Sequence, residues 1–207
     1  MSRYSTGPTG WRALLSGAVG AALLMIGMLA VMWALEIFDY LLGGALDGYG
    51  IRAWTADGLV GIIFAPFLHV GFGHLMANSL PLLVLGFLAA IRGIGRFVSA
   101  TILIMLIGGF GTWLTTPPKV VAIGASGLIF GYFGYVVSRG IFDRRLVDVL
   151  IGVGVAIAYY SMLWGLLPNQ EGVSWQGHLF GLIGGVAAAW VLRRKRIPRT
   201  PAYPASF

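Results

Sequence analysis

The chain has 207 residues, of which 58% are hydrophobic and only 10% charged, against about 25% charged in a soluble domain. A water-soluble fold built from it would lack the polar groups to cover its surface, so the bilayer is the expected solvent, in keeping with a mean hydropathy of +0.86. The absence of cysteine excludes disulfides, Cys-ligated zinc, iron–sulfur clusters and thiol catalysis together, and the meaning of the net charge of +7 depends on where it falls.

A membrane-spanning helix needs roughly 20 apolar residues. The first candidate span covers 11–35; Arg12 followed by an apolar run resembles a secretion signal, but the run far exceeds the roughly 7–15 residues of a signal core, so a retained span is expected. The connection 36–73 is long and carries apolar pieces at 59–68, with Trp54, Phe64, Pro66 and Phe67 nearby, so it should lie on or partly in the membrane. Further spans are expected at 74–91, 97–114, 126–138, 146–166 and 175–192. The fourth, 13 residues long, would be about 20 Å in length, shorter than a hydrocarbon core of about 30 Å. It should therefore begin below the outer surface, with the apolar stretch 120–125 leading down to it. Irregular backbone at that depth needs surrounding protein or a water-filled cavity.

The expected architecture is thus an all-α membrane protein: a six-transmembrane-helix bundle with a membrane-associated first outer loop and a short, sunken fourth helix. Residues 1–10 form a cytoplasmic N-terminus, 11–192 the membrane domain, and 193–207 a basic tail expected to be disordered and to contact anionic headgroups. No internal repeat and no soluble domain is evident. Six spans put 12 of the 14 basic residues on one side and only Arg52 and Lys119 on the other. By the positive-inside rule both termini are cytoplasmic. The basic excess is then a topology signal, and nucleic acid is not an expected partner.

Polar groups within a bilayer are costly and point to function. The set here is His69, His74, Asn78, Ser126 and His178. His74 and Asn78 are four apart and share a helix face. Ser126 starts the fourth span, and His178 lies one turn into the sixth. Topology derived from Arg and Lys alone puts them all at the outer ends of their helices. A serine hydroxyl needs a base within about 3 Å to act as a nucleophile, and a neutral histidine is the usual one. Gly127, Gly131 and Gly134 line the fourth span, and Gly177, Gly181 and Gly185 the sixth. Such small-residue spacing lets two backbones approach, although helix packing alone also explains each glycine and each lone polar group.

Three strings together are more specific: Gly124-Ala125-Ser126-Gly127, His74-Leu75-Met76-Ala77-Asn78, and His178-Leu179-Phe180-Gly181 with Gly185 four further on. In order and spacing, from roughly Gly50 to Val191, the chain resembles the rhomboid intramembrane serine proteases of the bacterial six-span type. The resemblance implies Ser126 as nucleophile and His178 as general base in a dyad. It implies an oxyanion hole from His74, Asn78 and the Ser126 N–H, with Gly124, Gly127, Phe130, Gly181 and Gly185 in packing roles. No acidic residue of the core segments stands near either dyad partner. Many members have tyrosine where this chain has Phe130, which keeps the ring and lacks the hydroxyl. Arg52 and Trp54, separated by Ala53, depart from the family's Trp-Arg pair and receive no role. The resemblance implies no cofactor and no metal, single-span membrane proteins as substrates, and a bacterial inner membrane as location. The rival readings are an inactive rhomboid-like binder of membrane clients, which typically lacks the Ser or the His, and a transporter or channel relaying protons through its histidines.

Overall fold

The computed structural model describes residues 10–168 and 172–194; the basic tail from Lys195 and the first nine residues lie outside the described residues. The elements are α1 (Gly10–Leu41), β1 (Ile51–Arg52), α2 (Ala56–Phe64), α3 (Phe72–Ala90), α4 (Ile94–Thr115), β2 (Val121–Ala122), α5 (Ser126–Asp143), α6 (Leu146–Ala158) and α7 (Trp175–Val191). Short 3-10 segments occupy Ala45–Tyr49, Ala65–Phe67 and Tyr160–Leu166.

Among the described residues three helices, α1, α3 and α4, are long and apolar enough to cross a membrane; α6 with Tyr160–Leu166 makes a fourth if that bent pair is one span. The protein is an all-helical, multi-pass membrane protein. Its α5 is the central post: most residues from Leu128 to Gly140 are buried, and α3, α4, α6 and α7 all pack on it. The outer faces of α1 and α6 remain apolar and exposed, as at Leu23, Ile26, Leu150 and Ile157, which suits lipid contact.

Three expected boundaries are corrected, the first two because a polar residue finds a partner that local sequence does not reveal. First, α1 continues through Glu36 to Leu41. Asp39, buried, accepts the Leu46 N–H at 2.6 Å, and the Trp33 indole reaches Ser79 Oγ on α3 at 3.3 Å. Second, α5 is 18 residues long rather than 13 and runs on to Asp143. At about 27 Å it nearly matches the hydrocarbon core, so shortness no longer argues for a sunken start. Arg139, which as a lone charge should end an apolar helix, instead bonds Asp148 Oδ1 at 3.2 Å and the Leu88 carbonyl at 3.1 Å. Third, the expected span 146–166 breaks at Tyr159 and turns by 67°. The Tyr159-Tyr160-Ser161 run is made of weak helix formers, and the chain beyond it tightens into a 3-10 turn. The connection after α1 also holds structure: an apolar helix, α2, whose Leu59, Val60, Ile63 and Phe64 face outward.

Among the described residues, the ion pairs gather at one end of the bundle. Asp148, 1% exposed, also takes Arg92 Nη2 at 2.7 Å, and Asp143 faces Arg96 at 3.8 Å and accepts the Arg194 N–H at 2.8 Å. Breaking a buried pair strands the remaining charge. Asp148→Ala should therefore destabilise the bundle by about 3–5 kcal/mol. Arg92→Ala, removing a partner that is a quarter exposed, should cost clearly less. Thermal unfolding of both variants in one detergent checks this order.

Candidate active site

The backbone leading to Ser126 is held at three points. β2 pairs antiparallel with β1, Ile51 opposite Ala122 and Arg52 opposite Val121. The Gly124 N–H donates to the Ala65 carbonyl at 2.9 Å. The Ala125 N–H donates to His69 Nε2 at 3.2 Å. Gly124 sits at φ +119°, and a Cβ there would lie 2.5 Å from His74 Cε1, so both backbone conformation and space call for glycine. Helix α5 starts at Ser126, and its first N–H groups lack helical acceptors.

His178 is placed by α7. Ser174 caps that helix, its Oγ accepting the Gly177 N–H at 3.2 Å. The imidazole is 8% exposed, stacks on Phe130 at a centroid distance of 4.2 Å and an angle of 11°, and has Nδ1 2.8 Å from the Gly165 carbonyl oxygen. The missing tyrosine hydroxyl therefore does not prevent stacking.

Helices α5 and α7 meet backbone to backbone. A Cβ on Gly181 would collide with the Gly127 carbonyl, one on Gly185 with the Gly131 carbonyl, and one on Gly134 would lie 2.7 Å from the Leu182 carbonyl oxygen. A Cβ on Gly127, the residue after Ser126, would be 3.4 Å from the carbonyl oxygen of Gly177, the residue before His178. The glycine spacing thus juxtaposes the chain segments that carry the serine and the histidine.

His74 and Asn78, on α3, complete the arrangement. Ser126, His178, His74 and Asn78 line one cavity of about 770 Å³, which Thr116 and Gln176 also border. A second cavity, of about 50 Å³, reaches from Ser126 and Gly127 toward Gly108, Gly109 and Thr112 of α4. One Asn78 Nδ2–H is engaged with the His74 carbonyl at 3.1 Å, and its second remains to donate elsewhere. Gly124 and Gly127 line the smaller cavity, Phe130 stacks on His178, and Gly181 and Gly185 lie along the seam of α5 and α7. Chemically, the larger cavity joins a hydroxyl, an imidazole with one nitrogen already engaged, and donors from a third helix.

Sequence reasoning assigned His69 no role and did not reach Gly165 or the pairing of β1 with β2. The local signs for His69 were its place among the few polar groups of the apolar segments and its position five residues before His74. A carbonyl acceptor leaves no sign at all, because every residue has one.

The family model described as Rhomboid domain matches residues 56–195. The chain is 46% identical to "Uncharacterized protein Rv1337" of Mycobacterium tuberculosis over 176 residues, 81% of this chain and 73% of that one. It is 28% identical over 168 residues to "Putative rhomboid protease YdcA" of Bacillus subtilis, covering 80% of this chain and 78% of the relative. "Rhomboid protease GluP" of the same organism matches at 30% over 126 residues, 60% of this chain and 24% of the relative. The chain belongs to the rhomboid family.

His69 lies between Phe67 and α3, 2% exposed and edge-on to His74 at 5.2 Å. Burial, reinforced by His74, lowers its pKa from 6.5 to about 4. The folded state then binds fewer protons than the unfolded one between these values, so stability rises with pH there. The contribution, about 3 kcal/mol, should be complete above pH 6.5 and disappear as pH falls to about 4. His69→Gln keeps an acceptor for the Ala125 N–H but cannot titrate. Melting temperatures across pH 4–7 should slope less steeply for it than for the wild type; parallel slopes would contradict the assignment.

Proposed function

We propose that this protein is an intramembrane serine protease that hydrolyses peptide bonds in or near transmembrane segments of single-span membrane proteins. Ser126 is the nucleophile and His178 the general base, with no metal or cofactor. The carrying observation is that Ser126 and His178 border one cavity at a seam where glycines let their helices touch. Rhomboid membership and the protease names of two relatives support the reaction class. The inactive-binder reading gains nothing from a chain that carries both dyad residues.

In this mechanism a neutral His178 takes the Ser126 proton as the hydroxyl attacks the scissile carbonyl, then delivers it to the leaving amine. The second Asn78 N–H, the His74 ring and the Ser126 N–H stabilise the oxyanion, helped by the N-terminal dipole of α5. The 770 Å³ cavity admits the water that hydrolyses the acyl-enzyme. Ser126→Ala and His178→Ala should each abolish cleavage of a tagged single-span substrate, the double variant being no worse than either. A fluorophosphonate should label Ser126 alone. Asn78→Ala should lower kcat by about 10²–10³-fold with little change in KM. Clear residual cleavage by Ser126→Ala would sink the reading; normal kcat with a large stability loss would remove only Asn78.

We further propose six crossings, by α1, α3, α4, α5, α6 with Tyr160–Leu166, and α7, in a bacterial inner membrane. Both termini and the arginine-rich end face the cytoplasm, and the cavity opens to the outside; the basic tail contacts anionic headgroups. α5 is shielded by neighbours, so its Arg139 and Asp143 need not meet lipid. Single cysteines are clean probes in a chain with none. In intact cells an impermeant thiol reagent should modify cysteines at Asp47 and Gly172 and spare one at Ser2. Modification at Ser2 would overturn the orientation.

A further inference from the structure

A catalytic histidine must be held in one orientation and one tautomer, a task a buried carboxylate performs in triad hydrolases. The carboxylates of Asp143 and Asp148 are committed to arginines at the other end of α5. The group beside the second ring nitrogen of His178 is the Gly165 carbonyl, 2.8 Å from Nδ1. A carbonyl oxygen only accepts, so Nδ1 carries the proton and Nε2 keeps the lone pair that a base needs. Phe130, stacked on the ring face, leaves rotation within the ring plane to be restrained by this one hydrogen bond.

Gly165 is also the only residue type that fits. A Cβ there would lie 2.9 Å from His178 Nδ1 and 3.2 Å from Phe130 Cζ. The residue belongs to the segment Tyr160–Leu166, which leaves α6 at 67° and has no buried residue. An element lying on the surface of the bundle therefore supplies the acceptor for the buried imidazole.

We propose that Gly165 is the positioning residue of the base. The inference rests on the protease reading above. The carbonyl of Gly165 holds the ring in plane with Nε2 free to accept, and without that bond the ring loses its in-plane restraint and its tautomeric bias.

The full-length protein, labelled with ¹⁵N-histidine in lipid, has only three imidazoles to resolve. The His178 signals are identified by their loss in His178→Gln. In the wild type they should show a protonated Nδ1 and an unprotonated Nε2 at neutral pH. Gly165→Ala should shift them toward the other tautomer and lower kcat about 10- to 100-fold, with KM within about twofold, because the defect lies in the base and not in binding. A wild-type His178 protonated on Nε2, or an unchanged kcat in folded Gly165→Ala, overturns the proposal. If Gly165→Ala does not fold, the wild-type spectrum decides alone. Cleavage lost only in Gly165→Ala supports the inference, whereas a wild type without Ser126-dependent cleavage overturns the protease reading and the inference with it.

Discussion

The backbone contact between α5 and α7 is the constraint on which the rest of the structure depends. In lipid no hydrophobic force drives helices together, so close packing has to supply the association. Glycines at 127, 131, 181 and 185 leave no side chains between the two backbones, and carbonyls of one helix approach α-carbons of the other. The same seam takes in α4: a Cβ on Gly108 would lie 3.3 Å from the Gly181 α-carbon, and one on Gly184 would lie 3.1 Å from that of Ile104. Widening it by one methyl would separate the serine-bearing turn from the histidine-bearing one.

The two ends of α5 are chemically unlike. One end holds Ser126 and faces uncharged polar groups and a cavity. About 20 Å away along the helix, Arg139 is neutralised by Asp148 in a buried network that also takes in Arg92. Pairing the charges at that end serves one purpose. It lets an apolar helix continue past an arginine.

The connection after α1 acts as a clamp on the nucleophile turn. Its β1 pairs with β2, its Ala65 carbonyl takes the Gly124 N–H, and its His69 takes the Ala125 N–H. Each contact joins segments more than fifty residues apart, and all fall within the five residues before Ser126. A loop that looks like a membrane-surface appendage is thus part of what positions the serine. Trp113, on α4, adds a further tie by donating its indole N–H to the Thr55 carbonyl at 2.9 Å.

Hydropathy and motif spacing are local properties, and what depends on them was legible in the chain alone. The starts of α5, α6 and α7 stand where apolar runs begin after Ala125, Arg145 and Ser174. The shared end of Ser126, His178, His74 and Asn78 followed from charge asymmetry, and the contact of α5 with α7 from glycine spacing. The far ends of α1 and α5 were not legible, because a carboxylate or guanidinium reads as a stop until its partner is known. Neither was the bend at Tyr159, nor the pairing of two-residue strands too short to carry a pattern. His69 and Gly165 mark the limit most clearly: one meets a backbone N–H and the other offers a backbone carbonyl. Every residue carries those atoms, so sequence can supply them anywhere, and only the tertiary fold decides which ones reach the site.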